Sequence, residues 1–327
     1  MNYSMIFYIL GWIFNFEAVF MILPGITAII YQEKDGLAFA VTMLICLAVG
    51  IPLTRKKSKN KVFHAKEGAV TVALSWLALS IAGALPFVLS GSIAHPVDAL
   101  FETVSGFTTT GASILSDVEA LSHCMLIWRS FTHWIGGMGV LVFILCLLPL
   151  TGGYHMNLMK AESPGPSVSK LVPKVQSTAK ILYTIYIMMT VVEMVLLLLG
   201  GMPLFDTLCL SFGTAGTGGF GIKNDSIASY STYNQVVITV FMILFGVNFN
   251  AYYLLLTKKV MQAAKNEEVR YYLGIIGFAI VAIAINTRVM FTSFGRAFQQ
   301  AAFQVGSIIT TTGYATTDFN VWPVFSK

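Results

Sequence analysis

The sequence predicts an all-α integral membrane protein, in which helix, short re-entrant helix, loop and helix repeat as a unit behind two extra leading transmembrane helices. Three observations predict it. The 327 residues are 56% hydrophobic and only 11% charged, against about 25% charged in soluble domains, and the apolar runs are long enough to cross a bilayer. Lys and Arg gather in short stretches between those runs. A Thr/Gly stretch without helix periodicity occurs three times: Thr108-Thr109-Thr110-Gly111-Ala112-Ser113, Thr217-Gly218-Gly219-Phe220-Gly221 and Thr310-Thr311-Thr312-Gly313-Tyr314-Ala315. Thirteen residues before Gly111, Gly219 and Gly313 stand Asp98, Asp206 and Gln300, so the register holds while the residue changes.

The elements follow in order. Residues 3 to 31 are apolar apart from Glu17 and start without Lys or Arg, unlike a cleaved leader, so they read as a retained helix. Residues 37 to 54 form a second span, closed by Arg55, Lys56, Lys57, Lys59, Lys61 and Lys66, the mark of a cytoplasmic loop. The first repeat has an outer helix at 68 to 90, a re-entrant helix at 97 to 108, an acidic outer segment with Asp117 and Glu119, and a second helix at 122 to 149. That helix carries Arg129, His133 and Gly136-Gly137-Met138-Gly139, glycines that let helices approach closely; His133 reads as a packed or interfacial histidine, with a functional proton site as the alternative. Residues 151 to 180, with four lysines and Pro164-Gly165-Pro166, suit an irregular cytoplasmic loop. The second repeat has helices at 179 to 201, 205 to 216 and 233 to 257, the last with Asn248 and Asn250, which must pair or face water. Lys258 to Arg270 is another basic loop, followed by a helix at 271 to 292 and a re-entrant helix at 296 to 309. The segments are therefore 1–67, two leading helices and a basic loop; 68–178, repeat one; 179–270, repeat two; and 271–327, an incomplete repeat three. The three basic loops hold fourteen of the twenty Lys and Arg residues, which puts them and the N-terminus in the cytoplasm and opens the Thr/Gly loops to the outside.

Irregular backbone at membrane depth survives only when buried in protein or lining water. A loop that replaces an ion's hydration shell must aim successive carbonyls at one axis. Glycine permits the required φ > 0, and Thr adds a small, stiff side chain with a hydroxyl oxygen. A short helix ending at such a loop turns its partly negative C-terminus toward the pore, which favours a cation. The three loops therefore read as one ion-selectivity filter, with Thr109, Thr110, Gly111, Ala112, Thr217, Gly218, Gly219, Phe220, Thr311, Thr312, Gly313 and Tyr314 as ion-binding candidates. Cys46, Cys124, Cys146 and Cys209 lie in apolar surroundings without metal-type spacing and read as packing residues. The net charge of +5 comes from the loops between spans, which argues against a nucleic-acid partner. No HExxH or GxSxG motif supports an intramembrane enzyme.

Several motifs resemble the Trk/Ktr/HKT superfamily of potassium transporters, on its bacterial TrkH/TrkG branch. Asp98-Ala99-Leu100-Phe101-Glu102 leads into Ser105-Gly106-Phe107 and the first loop, and Trp134-Ile135-Gly136-Gly137-Met138-Gly139 follows. Glu162-Ser163-Pro164-Gly165-Pro166, Gly218-Gly219-Phe220, Gly246-Val247-Asn248-Phe249, and Phe303-Gln304-Val305 before Thr311-Thr312-Gly313-Tyr314 complete it. The resemblance implies four such repeats in one polypeptide around one pore, as in a potassium channel, in a multi-pass protein of the cell inner membrane. It implies potassium uptake, with potassium ions at Thr110, Gly111, Gly218, Gly219, Thr312 and Gly313. It implies a homodimer in the lipid bilayer with a cytoplasmic nucleotide-binding regulatory subunit. Symport with protons or sodium and channel-like flow both stay open. Sodium-permeable members of the superfamily carry serine at the first-loop glycine; Gly111 stands here, which points to potassium. The second helix of repeat three and all of repeat four are missing from the pattern. The expectation is a piece of a longer transporter that does not conduct alone, with a non-conducting assembly subunit or a sodium-permeable relative as alternatives.

Overall fold

The computed structural model describes residues 1–55, 65–139 and 175–327. Most of the first basic loop, the end of the predicted 122–149 helix, Cys146 and nearly all of the 151–180 loop lie outside the described residues. Among the described residues the chain is helical without strands. Among the described residues, five helical stretches are long and apolar enough to cross a membrane, or six if the bent pair Thr232–Phe245 and Phe249–Leu256 is counted as one span.

The chain divides into two compact units, residues 1–108 with 112–183, and residues 109–111 with 184–327. In the first unit, α1 (Tyr3–Phe20) and α2 (Ile22–Ile30) form one span turned slightly at Met21, followed by α3 (Gly36–Arg55) and α4 (Ala65–Ser90). The re-entrant α5 (Pro96–Phe107) and α6 (His123–Met138) follow. Helices α1 and α3 cross at paired glycines. A Cβ on Gly11 would lie 3.0 Å from the Gly50 carbonyl, and one on Gly50 would lie 2.8 Å from the Gly11 carbonyl. Such close backbone approach is how membrane helices gain contact when lipid is as apolar as their side chains. Glu17, the charge inside the first span, is fully buried, and its carboxyl lies 3.2 Å from where a Cβ on Gly83 would be.

Helix α6 is anchored at its N-terminus by a side chain from the α2–α3 turn. The Glu33 carboxylate accepts from the N–H groups of His123 at 2.7 Å and Cys124 at 2.9 Å, and lies 2.9 Å from the His123 ring nitrogen. Those groups meet an anion at the positive end of the helix dipole. Burial opposes the charge on Glu33, but these hydrogen bonds outweigh it and hold the carboxyl below its ordinary range.

The division between the units falls inside α7 (Val175–Leu199), and the second unit continues with the re-entrant α8 (Leu204–Ala215) and α9 (Thr232–Phe245). Then come α10 (Phe249–Leu256), α11 (Val260–Ala264), α12 (Glu267–Thr287) and the re-entrant α13 (Phe294–Ile309). Where the sequence predicts one helix over 233 to 257, the structure turns by 91° between α9 and α10. Residues at the break and on α12 together hold it. Gly246 has no room for a Cβ beside the Tyr272 hydroxyl, and Asn248 caps α10 by accepting from the Asn250 N–H at 2.9 Å. Phenols donate to the last carbonyls of α9, Tyr272 to Ile243 at 3.0 Å and Tyr252 to Leu244 at 2.6 Å, the latter carbonyl also accepting from the Val247 N–H at 3.1 Å. Asn248 also donates to Glu268 of α12 at 2.8 Å, so its polar group pairs between helices. The predicted basic loop over 258–270 likewise holds the short α11 and the start of α12.

Candidate functional site

Each re-entrant helix ends two residues before a threonine: α5 at Phe107 before Thr109, α8 at Ala215 before Thr217, and α13 at Ile309 before Thr311. All three threonines have positive φ, 54° at Thr109, 51° at Thr217 and 60° at Thr311. Two residues on, the glycines do the same, 75° at Gly111 and Gly219 and 86° at Gly313. A β-branched residue in the left-handed region is a genuine outlier, and the same outlier at one register in three loops marks a functional constraint. Positive φ at every second residue turns alternate peptide planes over, so that neighbouring carbonyls face the same way.

The three turns meet. A Cβ on Gly111 would collide with the Gly218 carbonyl oxygen, and one on Gly219 would collide with the Thr312 carbonyl oxygen. The residue before the glycine of each following loop thus presents its carbonyl against the glycine of the loop before it. One relation, used twice, arranges Thr109–Gly111, Thr217–Gly219 and Thr311–Gly313 in rotational order. A Cβ on Gly313 would meet nothing within 4 Å, so there only φ demands glycine.

The second and third loops close onto their helices by one pattern. The N–H groups of Gly218 and Gly219 donate to the Gly213 carbonyl at 3.0 and 3.5 Å, and those of Thr312 and Gly313 donate to the Ser307 carbonyl at 2.9 and 3.3 Å. Tyr314, 1% exposed, packs its ring into the second repeat, with its hydroxyl 3.3 Å from the Leu210 carbonyl and 3.4 Å from the Phe220 carbonyl. The Ser307 hydroxyl donates to the Tyr314 carbonyl at 2.6 Å. Ala315 exchanges bonds with the turn that follows the second loop, accepting from the Ile227 N–H at 3.0 Å and donating to the Ser226 hydroxyl at 3.2 Å. Gln235 braces that turn by donating to the carbonyls of Ile227, Ala228 and Tyr230. Asp206, first of the spaced acids to find a role, accepts from the Tyr230 hydroxyl at 2.8 Å; burial, and then Asp206, pushes that phenol's pKa up. Gln300, at the matching position, accepts from Thr316 at 2.5 Å, whereas Asp98 stays half exposed beside His95.

Behind the first loop stands an ion pair. Glu102 of α5 and Arg129 of α6, with side chains 0% and 2% exposed, meet at 2.7 Å, with a second bond from the Arg129 Nε at 2.8 Å. The same carboxylate accepts from the Ser113 hydroxyl at 2.9 Å and the Ile114 N–H at 3.1 Å, which ties the descending limb of the loop to both helices. Gly136 lies against the carbonyl of Phe107, where a Cβ would collide.

The structure thus brings Thr109, Thr110, Gly111, Thr217, Gly218, Gly219, Thr311, Thr312 and Gly313 into three like turns. Of the candidates that follow them, Ala112 leads into the Ser113 anchor, while the carbonyls of Phe220 and Tyr314 already face protein donors. His133 is fully buried in α6. Sequence reasoning missed Glu102, Ser113, Ser307 and Gln235 as supports. Glu102 and Arg129 had a signal, being opposite charges in neighbouring apolar segments, while Ser307 and Gln235 had none.

A family model described as TrkH, cation transport protein, matches residues 36–327. The chain is 36% identical over 318 residues to the Trk system potassium uptake protein TrkH of Salmonella typhimurium, covering 93% of this chain and 65% of that protein. It is 32% identical over 321 residues to the Trk system potassium uptake protein TrkG of Escherichia coli, covering 96% of this chain and 65% of that one. The crystal structure of the potassium transporter TrkH from Vibrio parahaemolyticus superposes with a TM-score of 0.85 at 29% identity, covering 100% of this chain and 68% of the other. The chain therefore spans about 65% of the length of the first two relatives.

Proposed function

The chain belongs to the TrkH family of cation transport proteins, and from that premise we propose that it builds the wall of a potassium-selective pore for uptake across the cell inner membrane. One observation carries the reading. Three loops hold Thr and Gly at the same positive φ and lie against one another through backbone carbonyls. Carbonyls so arranged replace the hydration shell of a cation, and the C-termini of α5, α8 and α13 add negative potential. The ion ligands proposed are the carbonyls of Thr110, Gly111, Gly218, Gly219, Thr312 and Gly313, with the threonines beside them. Potassium is the substrate, and Gly111 at the first loop favours it over sodium. That the relatives are transporters speaks against intramembrane catalysis. The four segments 1–67, 68–178, 179–270 and 271–327 are the organisation we assign, with the basic loops in the cytoplasm. The homodimer and the cytoplasmic nucleotide-binding subunit belong to the same proposal, as what the resemblance to the superfamily implies.

The test is rubidium uptake by potassium-requiring cells, with sodium as competitor. Cells expressing the chain alone are compared with cells expressing it extended by the remaining third of the Salmonella relative. The extended form is expected to take up rubidium saturably and the short form is not, because an ion left uncoordinated on one side keeps its water. In the extended form, Gly219→Ser lowers rubidium-over-sodium preference more than Gly201→Ser. Gly201 is a fair control, with φ 76° but nothing within 4 Å of a Cβ. Equal preference in the two variants would count against the filter, and equal uptake by the short form would mean that the pore closes between chains.

A further inference from the structure

The break after α9 sends the chain sideways, and four observations say where. Asn248 bonds Glu268 in the first turn of α12, so the break stands level with the start of a span and not at its middle. Tyr252, Tyr253, Tyr271 and Tyr272 gather around that level, as tyrosines do at a membrane boundary. The 91° bend then turns α10 and α11 across the direction of α9. The segment exposes Leu255 at 45%, Leu256 at 61%, Val260 at 58% and Met261 at 68%, interleaved with exposed Lys258, Lys259 and Lys265.

The turn between α10 and α11 adds a signature. Lys258 has φ 60°, and the Lys259 N–H donates back to the Leu254 carbonyl at 2.8 Å. Glycine takes this position in most helix ends of the kind, because a side chain there is strained. A lysine held in a glycine's conformation puts an ammonium at the apex of the turn.

We propose that α10 and α11 form an arm lying in the cytoplasmic membrane surface and holding anionic phospholipid headgroups with Lys258, Lys259 and Lys265. The inference rests on the membrane orientation proposed above and not on the identity of the ion. Apolar side chains enter the headgroup boundary while the lysines snorkel to the phosphates. The nearby acids do not cancel this: Glu268 is bonded to Asn248, Glu267 lies at the positive N-terminus of α12, and Arg270 adds another exposed cation.

The test reads position and leaves transport aside. In a cysteine-free background, Met261→Cys carries an environment-sensitive fluorophore, and the full chain is placed in nanodiscs of brominated phosphatidylcholine with or without phosphatidylglycerol. Quenching at position 261 is expected to deepen with phosphatidylglycerol and to fall back in high salt. Lys258→Gly, Lys259→Gln and Lys265→Gln should each weaken the arm's partitioning about fivefold. Lys258→Gly should do so without lowering thermal stability, since glycine suits the turn. Absence of quenching in either lipid would overturn the proposal and leave the arm to a protein partner. Equal quenching in both lipids, unchanged by the lysine variants, would overturn it equally by showing apolar contact without headgroup binding.

Discussion

The first Thr/Gly loop is tied down by charge, and the second and third are tied down by neutral groups. Glu102 and Arg129 grip Ser113 and Ile114 from behind the first. Tyr314, Ser307, Ser226 and Gln235 do the equivalent work for the others with hydroxyls and an amide. The turns they support share φ at the Thr and at the Gly. The lesson is that the backbone of the loops is the constrained object, and unlike chemistry can hold it. The two kinds of support differ in how they fail. A buried ion pair that loses one member leaves an uncompensated charge, whereas a neutral network loses one modest bond at a time.

The largest effect is expected at the ion pair. Arg129→Met leaves Glu102 charged in an apolar wall and should destabilise the protein by about 3–5 kcal/mol. The double variant Glu102→Leu with Arg129→Met should recover much of that. Thermal unfolding in detergent checks both, and a double variant no better than the single would show that the pair acts through the loop and not through its charge balance.

Next comes the contrast between glycines. Gly219→Ala meets the Thr312 carbonyl and a forbidding φ together, about 1–3 kcal/mol of overpacking added to about 1–2 of backbone strain. Gly313→Ala has the strain alone, because its Cβ would meet nothing within 4 Å. Unfolding temperatures should rank Gly219→Ala below Gly313→Ala, and the reverse order would break the rotational arrangement of the loops.

Tyr314→Phe keeps the packed ring and removes the hydroxyl between the Leu210 and Phe220 carbonyls, so about 1 kcal/mol is expected. A loss as large as that of Arg129→Met would erase the distinction between charged and neutral support.

The smallest effect concerns acid. The Glu33 carboxyl is held below its ordinary range, so its contribution is present above that range and is lost as pH falls through and below it. Lowering pH through the carboxylate range should therefore reduce thermal stability, and Glu33→Gln should flatten that part of the profile. The loss should report on α6, the helix that carries Arg129, and fluorescence of Trp128 in a background with the other four tryptophans replaced by phenylalanine reads it locally. A profile unchanged by Glu33→Gln would remove this anchor from the charged support of the first repeat.

Much of this was legible beforehand. Apolar runs long enough to span a membrane and the short helices before the loops announce themselves over a dozen residues or more, and the five- or six-residue Thr/Gly loops do so by recurring three times. Matched spacing from Asp98, Asp206 and Gln300 set the register, yet only Asp206 and Gln300 turned out to hold anything near their loops. Positive φ was expected of the glycines, whereas its appearance at Thr109, Thr217 and Thr311 was not, because a β-branched residue is the last one local preference would place there. The run over 233 to 257 is mostly apolar, and Gly246, Asn248 and Asn250 within it did not by themselves place a right-angle turn.

By itself, then, the sequence determined what depends on neighbours along the chain: which stretches are apolar enough for lipid, where they stop, and that one loop is made three times. Tertiary structure alone decided that α9 breaks, because the last carbonyls of α9 accept from the hydroxyls of Tyr252 and Tyr272 and the cap needs Asn248 beside Glu268. It alone decided that Gly111 lies under the Gly218 carbonyl and Gly219 under the Thr312 carbonyl. The physical reason is that an unsatisfied backbone group at membrane depth costs several kcal/mol, and its partner comes from whichever segment packs against it, however far away in the chain that segment lies.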